Sequence, residues 1–260
     1  MCPNTPHFIV MPESVICHGG HFYAMLTIQD TIFGLYHMFV ASTKVTNTAH
    51  SHDAHLLLQR MVIYIHSVLI KHVSKMLMVT ATTHVPDVST FEGTLDLFML
   101  CVIMELGDLL NPLAYKKKYH RGCNCDHDQL CTIHAHGLSR ELRKWWRTQY
   151  IFYNPVMNTH VDSEIVFKEL LSQQIYALIS YKKVAEESGV EGEVKECMAE
   201  VLKSLVSKYF ISTLHFHGSP ENGFEWSGVR YVVHAQQGGE AYTRCRYSTF
   251  VELPPFMMQL

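Results

Sequence analysis

Ser89-Thr90-Phe91-Glu92-Gly93-Thr94-Leu95-Asp96-Leu97-Phe98-Met99-Leu100-Cys101-Val102-Ile103-Met104-Glu105 is the stretch from which the rest of the chain is read. Ser89 and Glu92 have the spacing of a capping box, in which each side chain satisfies a backbone donor of the other's turn. The helix opened there is predicted to run to about Leu110, where Asn111-Pro112 stops it. Leu97 to Met104 is wholly apolar between Asp96 and Glu105. It is too short to span a bilayer and reads as a buried helix.

Working upstream, Thr80 to Val88 with Pro86 is a connector, and His52 to about Val79 is the clearest helix. Arg60, Tyr64, Ser67, Lys71 and Lys75 form its polar stripe, with Leu57, Met61, Ile65, Val68 and Leu69 towards the other side. Asp30 to Ala41 is helical or mixed, and Ala24 to Ile28 could extend a sheet. Downstream, Tyr115 to His136 reads as a polar surface loop. A short helix from Ser139 carries Trp145 and Trp146 and ends before Asn154-Pro155. Asp162 can cap a helix over Ser163 to Glu186. After a break at Ser188 to Gly192, a helix over Glu193 to Phe210 is expected. Thr213 to His217, Val229 to Ala235 and Ala241 to Glu252 then read as strands, separated by turns at Ser219 to Gly223 and Gln236 to Gly239.

The chain begins differently. His7-Phe8-Ile9-Val10 is a short apolar run, Pro12-Glu13-Ser14 supplies turn chemistry, and Ser14 to Cys17 resumes a strand before Gly19-Gly20. The fold class is therefore α+β and mostly α-helical: strands at the start, a helical middle and a small β tail. At 260 residues the chain can bury a substantial core, and 48% hydrophobic with 17% charged residues is globular composition. A formal charge of -3 supplies no electrostatic reason to expect nucleic acid or an acidic membrane as partner. The 18 histidines would make the chain strongly positive at low pH, below about 6. Eight cysteines without regular spacing do not form a disulfide framework, and nothing at the N-terminus resembles a secretory leader, so an intracellular setting is expected.

Asn4-Thr5-Pro6-His7, the strand after it, Pro12-Glu13-Ser14 and Gly19-Gly20-His21-Phe22-Tyr23 together resemble the end of a Jumonji-C (JmjC) domain, in particular that of fungal JmjC proteins. These are double-stranded β-helix (cupin-like) oxygenases that use Fe(II) and 2-oxoglutarate. The resemblance covers roughly the first 45 residues. It implies that His7 matches the last iron-binding histidine and that His21 falls where the family often has Asn. It further implies a division into a JmjC remnant over residues 1–45, a helical C-terminal extension over 46–210 and a β tail over 211–260.

The family's facial triad also needs a His-x-Asp/Glu pair upstream of that histidine. Only six residues precede His7, so the chain is expected not to catalyse hydroxylation or demethylation by itself. The alternative expectation is a non-enzymatic helical interaction protein with a protein partner.

Four further constellations are visible. His120, Cys123, Cys125, His127, Cys131, His134 and His136 offer thiolates and imidazoles suited to zinc, with Cys123, Cys125, Cys131 and His134 as the candidate ligands. His160-Val161-Asp162 has a ligand-pair pattern, although an N-cap explains Asp162. His215, His217 and His234 could make a three-imidazole site across neighbouring strands, or equally a solvated polar face. Trp145-Trp146, between Arg143, Lys144 and Arg147, could stack on a base or belong to a half-buried amphipathic helix.

Overall fold

The computed structural model describes residues 13, 23–41, 52–72, 84–107, 110, 125–155, 157–189 and 232–236. The described residues are mostly helical, with a small antiparallel sheet of three strands. The expected strands around His7, the helix over 193–210 and the strands at 213–217 and 241–252 lie outside them.

At the centre is the quoted stretch. Its helix, Phe91–Gly107, is named α3 here, after α1 (Ile28–Ala41) and α2 (His52–Leu69). Leu97 through Met104 are all buried, because a helix apolar on every side must be covered on every side. Four helices cover it: α1, α2, α4 (Cys125–Gln149) and α5 (Ser163–Glu187). No helix among the described residues is long and apolar enough to cross a membrane.

The start of α3 differs from expectation by one residue. Thr90, not Ser89, is the cap: its Oγ1 accepts from Gly93 N–H at 3.1 Å, and its carbonyl accepts from Thr94 N–H. Ser89 instead donates from Oγ to Asp87 Oδ1 at 2.6 Å, inside a tight turn. That turn folds back so closely that a Cβ on Gly93 would collide with the Asp87 backbone, so a residue without one is required. Leu106 O still accepts from Leu110 N–H beyond the regular end of the helix, so buried Leu110 continues its path.

The covering helices bury regular stripes. Ile28, Thr31, Ile32, Leu35, Tyr36, Phe39 and Val40 do so on α1. The possible strand at Ala24 to Ile28 is therefore a 3-10 turn, Met25–Thr27, running into α1. On α2 the buried stripe is Leu58, Val62, Ile65 and His66, one position round from the expected Leu57 and Met61. The helix stops well short of Val79: Leu69 is its last residue, and His72 takes a left-handed φ of 52°. Asp162 caps α5 as expected, its Oδ1 accepting from Glu164 N–H at 3.0 Å.

The largest correction is α4. Residues from Cys125 onward, read as part of an irregular loop, are helical, and Ser139 lies in mid-helix rather than at its start. The helix faces the core through Ala135, Leu138, Ser139, Leu142, Arg143 and Trp146. It ends at Gln149, before the expected stop, and the chain enters β1 (Tyr150–Asn154) directly.

β1 pairs antiparallel with β2 (Thr159–Val161) on one side and β3 (Val232–Ala235) on the other. Thus the one described part of the β tail belongs to a sheet whose middle strand comes from the centre of the chain. Phe152 on β1 is buried against Trp146 at 4.6 Å, Phe98 at 5.9 Å and Phe91 at 6.2 Å between ring centres, and Val233 pairs with it across the sheet. Burying a phenylalanine in such a cluster stabilises by roughly 2–3 kcal/mol.

Candidate functional site

The opposite face of the sheet carries Tyr153 on β1, His160 on β2 and His234 on β3. Side chains alternate along strands, so with Phe152 inward Tyr153 points outward. Register sets the neighbours: Tyr153 lies opposite His160, and Ile151 lies opposite His234. The Tyr153 ring stacks on His234 with centres 5.2 Å apart and planes 15° apart, and meets His160 edge-on at 5.7 Å. The two imidazole centres are 6.1 Å apart at 77°.

The β1–β2 turn fixes this arrangement. Met157 N–H donates to Asn154 Oδ1 at 3.1 Å, Asn158 adopts a left-handed φ of 52°, and Tyr153 OH donates to Asn158 Oδ1 at 2.5 Å. Asparagine tolerates that backbone conformation better than most residues. The phenol is thereby engaged at its tip. His160 is exposed and His234 half-buried. Burial, and after it the neighbouring His160, holds the His234 imidazole below its ordinary value. Among the described residues neither imidazole makes a hydrogen bond.

Two residues from separate sequence constellations meet here, each without its expected partner. His160 does not act with Asp162, whose Oδ1 caps α5 and whose Oδ2 lies 2.7 Å from Arg147 Nη2. His234 was grouped with His215 and His217, which lie outside the described residues. Sequence reasoning missed Tyr153, because it placed no strand at 150–154.

Comparison with family models, curated proteins and solved structures returned no match. The functional reading therefore rests on the residues themselves.

His7, His21, His120 and Cys123 lie outside the described residues. Cys125, His127 and Cys131 fall within α4, and His134 is exposed on it. On a helix, positions 131 and 134 share a face, whereas 125 and 134 fall on opposite sides at 100° per residue. The helix therefore separates Cys125 from His134. Among the described residues no three His, Cys, Asp or Glu gather into a metal-holding group. With Asp162 committed elsewhere, the described residues do not fit a facial triad for Fe(II).

Two of the three basic residues around the tryptophans, Arg143 and Arg147, are also engaged. Arg143 is buried, its Nη1 donating to both Glu164 oxygens at 2.8 and 3.1 Å, its Nη2 3.6 Å from Glu105, and its guanidinium 3.9 Å above the Phe167 ring centre. Trp146 Nε1 donates to Thr94 Oγ1 at 3.1 Å, and Trp145 packs edge-on against Tyr150. This is the half-buried amphipathic helix of the two alternatives, with Trp146 wholly inside. Cys101 is buried near Arg143, and burial pushes its thiol up to about 11, so it has little nucleophilic thiolate at neutral pH.

Proposed function

We propose that this chain is a JmjC-like protein, related to Fe(II)/2-oxoglutarate-dependent hydroxylases and demethylases, whose helical body serves as a scaffold rather than as the seat of oxygenase chemistry. The observation that carries this reading is the run Asn4-Thr5-Pro6-His7 to Gly19-Gly20-His21-Phe22-Tyr23, set ahead of a mostly helical body. His7 is the residue that would ligate iron. Bound there, iron with 2-oxoglutarate would activate oxygen. The test is succinate release from 2-oxoglutarate and Fe(II) by the chain alone, with a His7→Ala control. No release above that control is expected. Turnover that His7→Ala abolishes would refute the scaffold assignment.

A second reading is a non-enzymatic helical interaction protein with structural zinc at residues 120–136. What favours it is the continuity of α4 through Cys131 and His134, whose i, i+3 spacing offers two ligands from one face. The helix cannot close a four-ligand site alone, so Cys123 and its neighbours would supply the remainder. Zinc lost on Cys123→Ser would support this reading, and zinc indifferent to that change would refute it.

A further inference from the structure

We propose that His160 and His234 form a two-imidazole site for a divalent transition-metal ion of borderline softness, such as Zn2+, on the outer face of the sheet. This site is independent of both the resemblance at His7 and the 120–136 segment.

The argument begins with distance. A zinc ion about 2.0–2.1 Å from an imidazole nitrogen lies about 3.2 Å from the ring centre. Two imidazoles on one ion then have centres roughly 5.2 Å apart at a tetrahedral angle and about 6.4 Å apart when opposed. The observed 6.1 Å falls within that interval, so a small closing motion of exposed His160 suffices.

Preorganisation is the second support. The two histidines stand on strands that are not paired with each other, β2 and β3, and β1 holds both in register. Tyr153 forms a floor under both rings, stacked on one and edge-on to the other, while its hydroxyl is held by Asn158. Part of the entropy of placing two ligands is thus lost on folding rather than on binding.

Availability is the third. Neither imidazole has a hydrogen-bond partner among the described residues, so binding breaks no protein contact there. Water completes the coordination, as in sites that leave positions open.

Zinc alone is the probe. The chelator-washed full chain is titrated with Zn2+ against a chromophoric competitor, beside His160→Gln, His234→Gln and the double variant. Each single change is expected to weaken the same equivalent at least tenfold, and the double change to remove that equivalent and no other. Cys123→Ser with Cys125→Ser should leave that equivalent in place. Zinc binding unchanged in either histidine variant overturns the site. A substitution on β3 could loosen the sheet, so the parent chain is also footprinted with diethyl pyrocarbonate and read by peptide mass. Zinc should slow modification of His160 and His234 together, severalfold; unchanged rates overturn the site whatever the variants do. Neither result depends on succinate formation or on His7, so failure here is separable from failure of the scaffold reading.

Discussion

Among the described carboxylates, Asp96 is the one whose charge burial disfavours. It lies on α3 facing α1, where Gln29 Nε2 donates to its Oδ1 at 2.7 Å. Burial, opposed by that bond and reinforced by Glu92 and Asp30, pushes its carboxyl from 3.8 up to about 6. Between those values the folded chain holds a proton that the unfolded chain has lost, so this group's contribution falls as pH rises from about 4 to 6. Asp96→Asn keeps an acceptor for Gln29 and carries no charge. It should be more stable than the parent at pH 7.5, by on the order of 1 kcal/mol once solvent screening is allowed for, with the gap closing near pH 4. Urea unfolding at the two pH values measures it, and a gap independent of pH would refute it. Arg143 is the converse case, a charge that the site requires. Arg143→Ala leaves Glu105 and Glu164 facing each other without their cation and should cost about 3 kcal/mol. Arg143→Lys should recover only part, since an ammonium cannot face Glu164 and Glu105 with two separate nitrogens or lie flat on Phe167. The denaturant midpoints of the two variants order these expectations.

At the scale of the element, the entry to α3 separates two nearly identical sequence readings. If Thr90 is the cap, Thr90→Ala should cost about 1 kcal/mol and Ser89→Ala about half that or less. The Ser89-Glu92 capping box makes the opposite prediction, so the pair of thermal melts decides between them. Gly93→Ala should cost about 1–3 kcal/mol, because the Asp87 turn must move to admit a methyl group. The sequence favours the box over the true cap because two successive residues, Ser89 and Thr90, can each begin a helix, and only the Asp87 turn, which takes Ser89 for itself, selects between them. α1 and α5 were legible because their stripes are mostly apolar. α4 was not, because Ser139 and Arg143 occupy its inward face and its first turns are rich in His and Cys. Such positions look polar in sequence and become inward only when a partner such as Glu164 is brought to them. β1 was hidden for another reason: Tyr150 follows Gln149 with no turn residue between helix and strand. The candidate site was legible as histidines and illegible as a site, since only the register of three strands from distant parts of the chain joins His160 to His234.

For the whole molecule, the decisive feature is that β3 completes a sheet centred on β1. The tail is expected by sequence to be a small β unit, yet its described strand covers the same aromatic cluster as α3 and α4, with Val233 opposite Phe152. Strands paired this way melt with their core, since an edge stripped of its neighbour leaves both backbone groups and an apolar face to water. A chain ending at residue 210 should therefore lose stability in the helical body, lowering its melting temperature by about 5–10 °C for a loss of roughly 2–3 kcal/mol. Val233→Asp in the full chain removes the same cover without removing any residue and should lower the transition in the same direction. Tryptophan emission reports the cause, because Trp146 leans on Phe152 and is wholly buried. If the shortened chain and Val233→Asp both melt like the parent, with unshifted emission, the tail is energetically separate and β3 only rests on the sheet. If both fall together, folding of the body and assembly of the His160–His234 face are one cooperative event, and zinc bound at that face should raise the melting temperature of the whole chain.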